Sequence, residues 1–439
     1  MWAYESVFYQ IYPLGFCGAP RENDGVTVNR IEKVAQWAPH LQKLGVGAVY
    51  LSPVFESDRH GYDTRDFTRL DCRLGTNEDF AHVCEVLHQH GIRVVLDGVF
   101  NHVGRGFWAF QDVLCNRENS PYKDWFFINF GGNNGYGDGL WYEGWEGHFE
   151  LVKLNLKNPA VVEHILSCVG GWIDQFHIDG LRLDVAYSLD HDFVRQLRRY
   201  CDGKKEEFFL IGELMHGDYN QMVREDMLHS CTNYECYKGL YSSFNSMNLF
   251  EIAHSLQRQF GAEPWCLYRG KHLLCFADNH DVTRVASILE RPEHLPLLYA
   301  LLFAMPGIPC LYYGSEWGAQ GRKQAGSDDE LRPSFDRPEE NELTDWIAKL
   351  SRAHRENKAL CYGEYRTVVL TNRQFIFERK WEGQRILVAI NADDQPYHAH
   401  FDAQAGNALD LLAGEMHDFG GGSELPPYSA AYWKIPPQG

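Results

Sequence analysis

The sequence predicts a (β/α)8 barrel with an excursion after its third strand and an antiparallel β-domain at its C-terminus. Short apolar runs alternate with segments of helical period, the pattern of parallel strands covered on the outside by helices. Eight such repeats spread over roughly 350 residues fit a closed barrel better than an open doubly wound sheet, because no glycine-rich phosphate turn follows the first run. After about residue 359 the texture changes to alternating β-rich stretches separated by turn signals.

Seven runs read clearly as buried strands: Val7–Tyr12, Ala48–Pro53, Arg93–Val99, Gly180–Val185, Phe208–Gly212, Leu273–Ala277 and Ile308–Tyr313. The eighth is placed near Asn233–Tyr237. Between them, apolar residues recur at helical spacing, as in Val162, Ile165, Leu166, Val169, Trp172, Ile173 and Phe176, so those faces should pack on the barrel. The stretch 103–155 is rich in Gly, Trp, Tyr and Phe and shows no helical period. It reads as an excursion leaving the face of the barrel where active sites form. The expected division is a barrel over 1–102 and 156–358, the excursion over 103–155, and a C-terminal β-sandwich over 359–439.

Composition sets limits on function. With 44% apolar and 14% aromatic residues, the chain has ample material for a full core. Its formal charge of −19 repels nucleic acid and anionic membrane surfaces. No apolar stretch reaches the roughly 20 residues of a membrane span, and the N-terminus lacks the basic-then-apolar pattern of a secretion signal. A cytoplasmic location is expected. The 12 cysteines are scattered, several within apolar runs, and read as reduced packing residues.

The chemistry concentrates where strands end. Asp97 and Asn101-His102 close the third strand, Arg182 and Asp184 the fourth, Glu213 the fifth, and His280-Asp281 the seventh. In a barrel enzyme such positions point into the mouth. Cleaving a glycosidic bond with retention needs a proton donor and a carboxylate nucleophile about 5–5.5 Å apart, which adjacent strand ends can supply. Beside Arg182, Asp184 should stay ionised and act as nucleophile, while Glu213, facing other carboxylates in a partly dry pocket, should stay protonated as acid/base. Asp281 is then free to grip sugar hydroxyls, with His102 and His280 as donors.

Four segments, Asp97-Gly-Val-Phe-Asn-His, Gly180-Leu-Arg-Leu-Asp, Gly212-Glu213 and Phe276-Ala-Asp-Asn-His-Asp, resemble in order the four signatures of the α-amylase superfamily of glycoside hydrolases. The opening Val7-Phe-Tyr-Gln-Ile-Tyr-Pro, His60-Gly-Tyr-Asp and Leu311-Tyr-Tyr-Gly-Ser-Glu are also similar to that family. The resemblance implies retaining hydrolysis of α-linked glucans, with Asp184 as nucleophile, Glu213 as acid/base and Asp281 as transition-state stabiliser. It further implies that Arg182, His102 and His280 hold the reacting sugar, Tyr62 stacks on it, and Asp97 supports the site from below.

Leu151-Val-Lys-Leu-Asn-Leu-Lys-Asn-Pro is similar to the fifth signature in the neopullulanase, cyclomaltodextrinase and maltogenic amylase branch. Lys153 there stands where calcium-dependent members carry Asp, and an ammonium cannot ligate the ion. No calcium is therefore expected at that site, and the sequence names no other metal or cofactor. The chain departs from the branch at Tyr187-Ser188 and Leu214-Met215, next to the catalytic acids. The expected activity is hydrolysis of α-1,4 bonds in maltooligosaccharides, with cyclodextrins, pullulan and starch as further substrates. The alternatives are a transglycosylase or isomerase and an α-1,6-acting glucosidase using the same covalent intermediate, and, more remotely, a non-catalytic glucan-binding barrel.

Overall fold

A computed structural model describes residues 1–437. Eight parallel strands form one sheet: β1 Phe8–Ile11, β2 Ala48–Leu51, β3 Arg93–Gly98, β4 Gly180–Leu183, β5 Phe209–Gly212, β6 Ser230–Cys231, β7 Leu274–Phe276 and β8 Ile308–Tyr312. Their order is β6-β5-β4-β3-β2-β1-β8-β7, and a single bridge between Thr232 and Leu274 joins the two ends. The predicted barrel is present, and seven of its strands lie within the predicted runs.

The eighth does not. Asn233–Tyr237 is the start of a helix, Tyr234–Asn245, in which Asn233 is the N-cap and its side chain accepts from Cys236 N–H. The true strand, Ser230–Cys231, has two residues and is too short to show alternation. A second correction concerns the excursion, where Trp108–Asn116 is a helix burying Ala109, Phe110 and Val113.

Alternation along the strands separates two apolar regions. Phe8, Ala48, Tyr50, Val95, Phe209, Ile211, Leu274, Phe276, Ile308 and Cys310 point inward and fill the barrel. Their neighbours Tyr9, Val49, Val94, Leu96, Leu181, Leu183 and Leu210 point outward under the helices. Continuing the inward rows toward the C-terminal ends reaches Gln10, Asp97, Arg182, Asp184 and Glu213. The site is thus the top layer of the same columns that make the inner core. Register fixes the neighbours: Arg182 pairs with Asp97 on one side and Ile211 on the other.

The excursion returns to the barrel through a strand, His148–Lys153, that pairs antiparallel with His102–Gly104, placing Lys153 opposite His102. At the C-terminus a six-stranded antiparallel sheet runs through Glu364–Leu370, Gln374–Trp381, Gln384–Asn391, Ser429–Ile435, Asn407–Asp410 and Met416–Asp418. One face, with Phe375, Phe377, Val388, Ile390 and Tyr432, joins the main core against the barrel. The other holds Ile376, Leu387, Ala389 and Trp433 in a cluster of its own.

Candidate active site

Arg182 organises the barrel mouth. One guanidinium nitrogen lies 2.9 Å from both Asp97 and Asp184, and the other lies 2.9 Å from Glu213. All four side chains are buried. Three carboxyls therefore share one cation in a medium where like charges repel strongly.

The backbone around the pair is strained. Val185, directly after Asp184, adopts the left-handed conformation at φ 47°, a true outlier for a β-branched residue. That twist turns its N–H onto Glu213 at 3.1 Å, and the next N–H, from Ala186, bonds to the Glu213 carbonyl. Gly212 permits this approach, since a Cβ there would lie 2.8 Å from the Ala186 side chain. The turn after β4 is thereby locked to the end of β5.

Two histidines flank the acids. His280 receives the Gln10 amide on Nδ1 at 2.8 Å, which leaves the proton on Nε2. That nitrogen faces the Tyr62 hydroxyl at 2.6 Å and Asp281 at 3.1 Å. Tyr62 in turn donates to Asp97 at 3.1 Å, as does Tyr50. His102 takes the Asn101 amide on Nδ1 at 3.1 Å, while its Nε2, buried without a hydrogen-bond partner, stands 4.0 Å from Asp184. A sugar hydroxyl there would satisfy it. Burial holds both imidazoles neutral, with pKa values lowered to about 3.

The charge states refine the sequence-based expectation. Burial pushes the Asp184 carboxyl well above the usual carboxylate range; Arg182 opposes this, but Glu213 and Asp97 add to the rise. Arg182 alone does not offset the burial of the Asp184 carboxyl. Glu213 is also raised, chiefly by burial and then by Asp281, against Arg182 and the Val185 N–H. Both carboxyls of the pair are therefore shifted toward the protonated form. Asp281 differs: burial raises it, but His280, Arg332, Arg182 and Lys323 together bring it below its ordinary value. Asp97 is raised by burial despite Arg182 and the two tyrosines.

All eight predicted site residues fall in this one constellation. Others were missed. Arg332 reaches Asp281 at 3.1 Å and Asp328 at 2.9 Å, with its guanidinium 4.6 Å above the Tyr12 ring. Lys323 donates to the Asp281 carbonyl at 2.8 Å. Both belong to a polar loop without strand pattern; the only sequence signal was the four-residue spacing of Asp328 and Arg332. Trp145, which could have been mere packing, lines the cleft.

That cleft encloses about 550 Å³, bounded by Tyr62, His102, Asp184, Glu213, Asp281 and the excursion residue Trp145 among others. A second hollow of about 530 Å³ continues past His60, Lys323, Asp328 and Arg332. For cations, Lys153 places its ammonium 2.9 Å from Glu143. Among the described residues, Glu56, Asp71 and Cys72 approach closely enough to share an ion, but Asp71 is already engaged by Arg73 at 2.7 Å.

A parallel barrel whose mouth holds three carboxyls on one guanidinium, with a fourth beside a histidine, has the constellation of a glycoside hydrolase. The family described as "Alpha amylase, catalytic domain" matches residues 10–358, and the chain belongs to it. A cyclomaltodextrinase of Thermoanaerobacter pseudethanolicus is 28% identical, the match covering 98% of this chain and 77% of the relative. Neopullulanase 2 of Thermoactinomyces vulgaris is 30% identical over 94% of this chain and 74% of its own. Among solved structures, the ligand-free cyclic α-maltosyl-(1→6)-maltose hydrolase of Arthrobacter globiformis superposes with a TM-score of 0.83 at 28% identity, covering 99% of this chain and 100% of that one.

Proposed function

We propose that the protein hydrolyses α-1,4-glucosidic bonds of maltooligosaccharides with retention, using Asp184 as nucleophile, Glu213 as acid/base and Asp281 as stabiliser of the transition state. The observation that carries this reading is the double engagement of Arg182, which holds Asp184 on one nitrogen and Glu213 on the other. Bound sugar displaces water from the cleft, and the proton held by the pair resides on Glu213. Asp184 attacks the anomeric carbon as Glu213 protonates the departing oxygen. A water then gives its proton to Glu213 and displaces Asp184, so the configuration is restored.

Asp281, ionised beside His280 and Arg332, faces the positive charge that develops on the ring. His102 Nε2 and His280 take sugar hydroxyls, Tyr62 supplies a ring face, and Asp97 holds Arg182 and Tyr62 in place. The second hollow beyond Arg332 gives room for sugars on the side away from Glu213. Cyclodextrins and pullulan enter the proposal through the names of the relatives. The division into a barrel over 1–102 and 156–358, an excursion over 103–155 and a C-terminal unit from 359 is part of the same reading.

Asp184→Asn should abolish release of maltose and glucose from maltotriose while circular dichroism stays native. Proton NMR of early products from the unaltered enzyme should show the α-anomer first. Retained turnover in the variant, or β-anomer first, would sink the assignment.

A further inference from the structure

Apart from its six-stranded sheet, the C-terminal region carries a separate two-stranded one, in which Tyr397–Ala399 pairs antiparallel with Ser423–Leu425. One face of this pair holds Ala399, Ser423 and Leu425, all buried. Alternation turns His398, and His400 just beyond it, to the other face, and the register sets His398 directly opposite Glu424. All three are exposed. None takes part in the chemistry of the barrel mouth.

His398 is anchored by one ring nitrogen. Its Nε2 lies 2.9 Å from the carbonyl of Gly421, and because a carbonyl only accepts, the proton sits on Nε2. Gly422, at φ 106°, permits this approach, since a Cβ there would collide with that nitrogen. In the neutral ring Nδ1 then carries a bare lone pair, and it stands 3.6 Å from the Glu424 carboxylate. Two acceptors that face one another need a cation between them. Two ligands each about 2.1 Å from a tetrahedral zinc ion are about 3.4 Å apart, close to this gap. A proton would engage only the one imidazole, yet the His400 ring centroid lies 4.6 Å from that of His398. Because His400 is exposed, rotation about its side-chain bonds brings a nitrogen to the same point.

We propose that His398, His400 and Glu424 form a surface site for a divalent cation of the zinc type, with water completing the tetrahedron. Two imidazoles and one carboxylate select zinc over calcium or magnesium, which take oxygen ligands alone. The Gly421 carbonyl plays the outer part usual for a metal-bound histidine: it takes the second ring N–H and so fixes both tautomer and orientation. The ion clips the two strands together across their exposed face. A clip has an effect here because a two-stranded sheet is marginal by itself.

Hydrogen exchange read by mass spectrometry, on the full untagged chain with added zinc chloride, tests this. Zinc should slow exchange in both strands, over 397–400 and 421–425, whereas calcium chloride should leave them unchanged. In titration calorimetry, His398→Asn, His400→Asn and Glu424→Gln should each weaken one equivalent of zinc by at least about tenfold, since even the outer partners of a metal ligand are worth that much. The three side chains are exposed, so circular dichroism should stay native in every variant. Protection of both strands by zinc but not calcium, lost in the variants, upholds the inference. Absence of zinc binding, binding untouched by the substitutions, protection confined to other segments, or equal protection by calcium would overturn it.

Discussion

Two regions of the molecule each bury an arginine, and they treat it in opposite ways. At the barrel mouth Arg182 is surrounded by Asp97, Asp184 and Glu213, with more negative charge than it can neutralise. Under the C-terminal sheet Arg379 has no carboxylate partner among the described residues and gives its hydrogen bonds to the carbonyls of Gly363 and Ala304. Those carbonyls lie at the ends of the helices Lys358–Tyr362 and His294–Ala304, where the partial charge is negative. Burial lowers Arg379 to a pKa of about 10. Charge crowded to excess is useful for chemistry, since the protons it retains can be moved. Charge met by dipoles alone serves only to fix one unit against another.

The contrast predicts that the mouth arginine governs rate and the interface arginine governs stability. Arg182→Met should lower kcat/KM on maltotriose about 10³-fold or more, because three carboxyls are left without their cation. Steady-state kinetics checks this, and a loss below tenfold would break the comparison. Arg379→Met should leave kcat within about twofold but lower unfolding free energy by roughly 3 kcal/mol, as buried carbonyls lose their donor. Urea denaturation reads that change.

Acid should separate the regions as well. His354, bonded to the Phe303 carbonyl at 2.8 Å, is lowered to about 4 by burial, with Arg379 adding to the effect. Because the folded state holds it neutral, its contribution is full above the unfolded pKa near 6.5 and is lost as pH falls from there through 4. The loss from this one group is roughly 2 kcal/mol between pH 6.5 and 5. His354→Gln should flatten the urea-stability profile over that window by a similar amount. Asp184 and Glu213, raised by burial, behave in the opposite sense: their contribution is full below about pH 4 and lost as pH rises. The smallest effect belongs to the half-exposed Lys153–Glu143 pair, where Lys153→Met should change stability by only about 0.5 kcal/mol.

The sequence made the barrel readable because its strands are buried on both faces and so appear as apolar runs with a polar residue at the end. Asp97, Arg182, Asp184, Glu213 and Asp281 all occupy such ends. Ser230–Cys231 gave no signal, since two residues cannot alternate, and the strand placed near Asn233–Tyr237 is the first turn of a helix capped by Asn233. The loop arginine Arg332 depends on a tertiary approach that no local pattern encodes. Charge state was the least legible property: the distance from Asp184 to Arg182 follows from two-residue spacing, but the desolvation that outweighs it depends on the whole mouth.

The two-residue sixth strand has a mechanical meaning. Every other junction in the barrel is a ladder of at least two paired residues, but between β6 and β7 the wall is held by the lone Thr232–Leu274 bridge. That stave stands between the strand carrying Glu213 and the strand leading to Asp281. The circumference can therefore yield there at the least cost in hydrogen bonds, and the gape between proton donor and stabilising carboxylate is set by the weakest hoop of the cask.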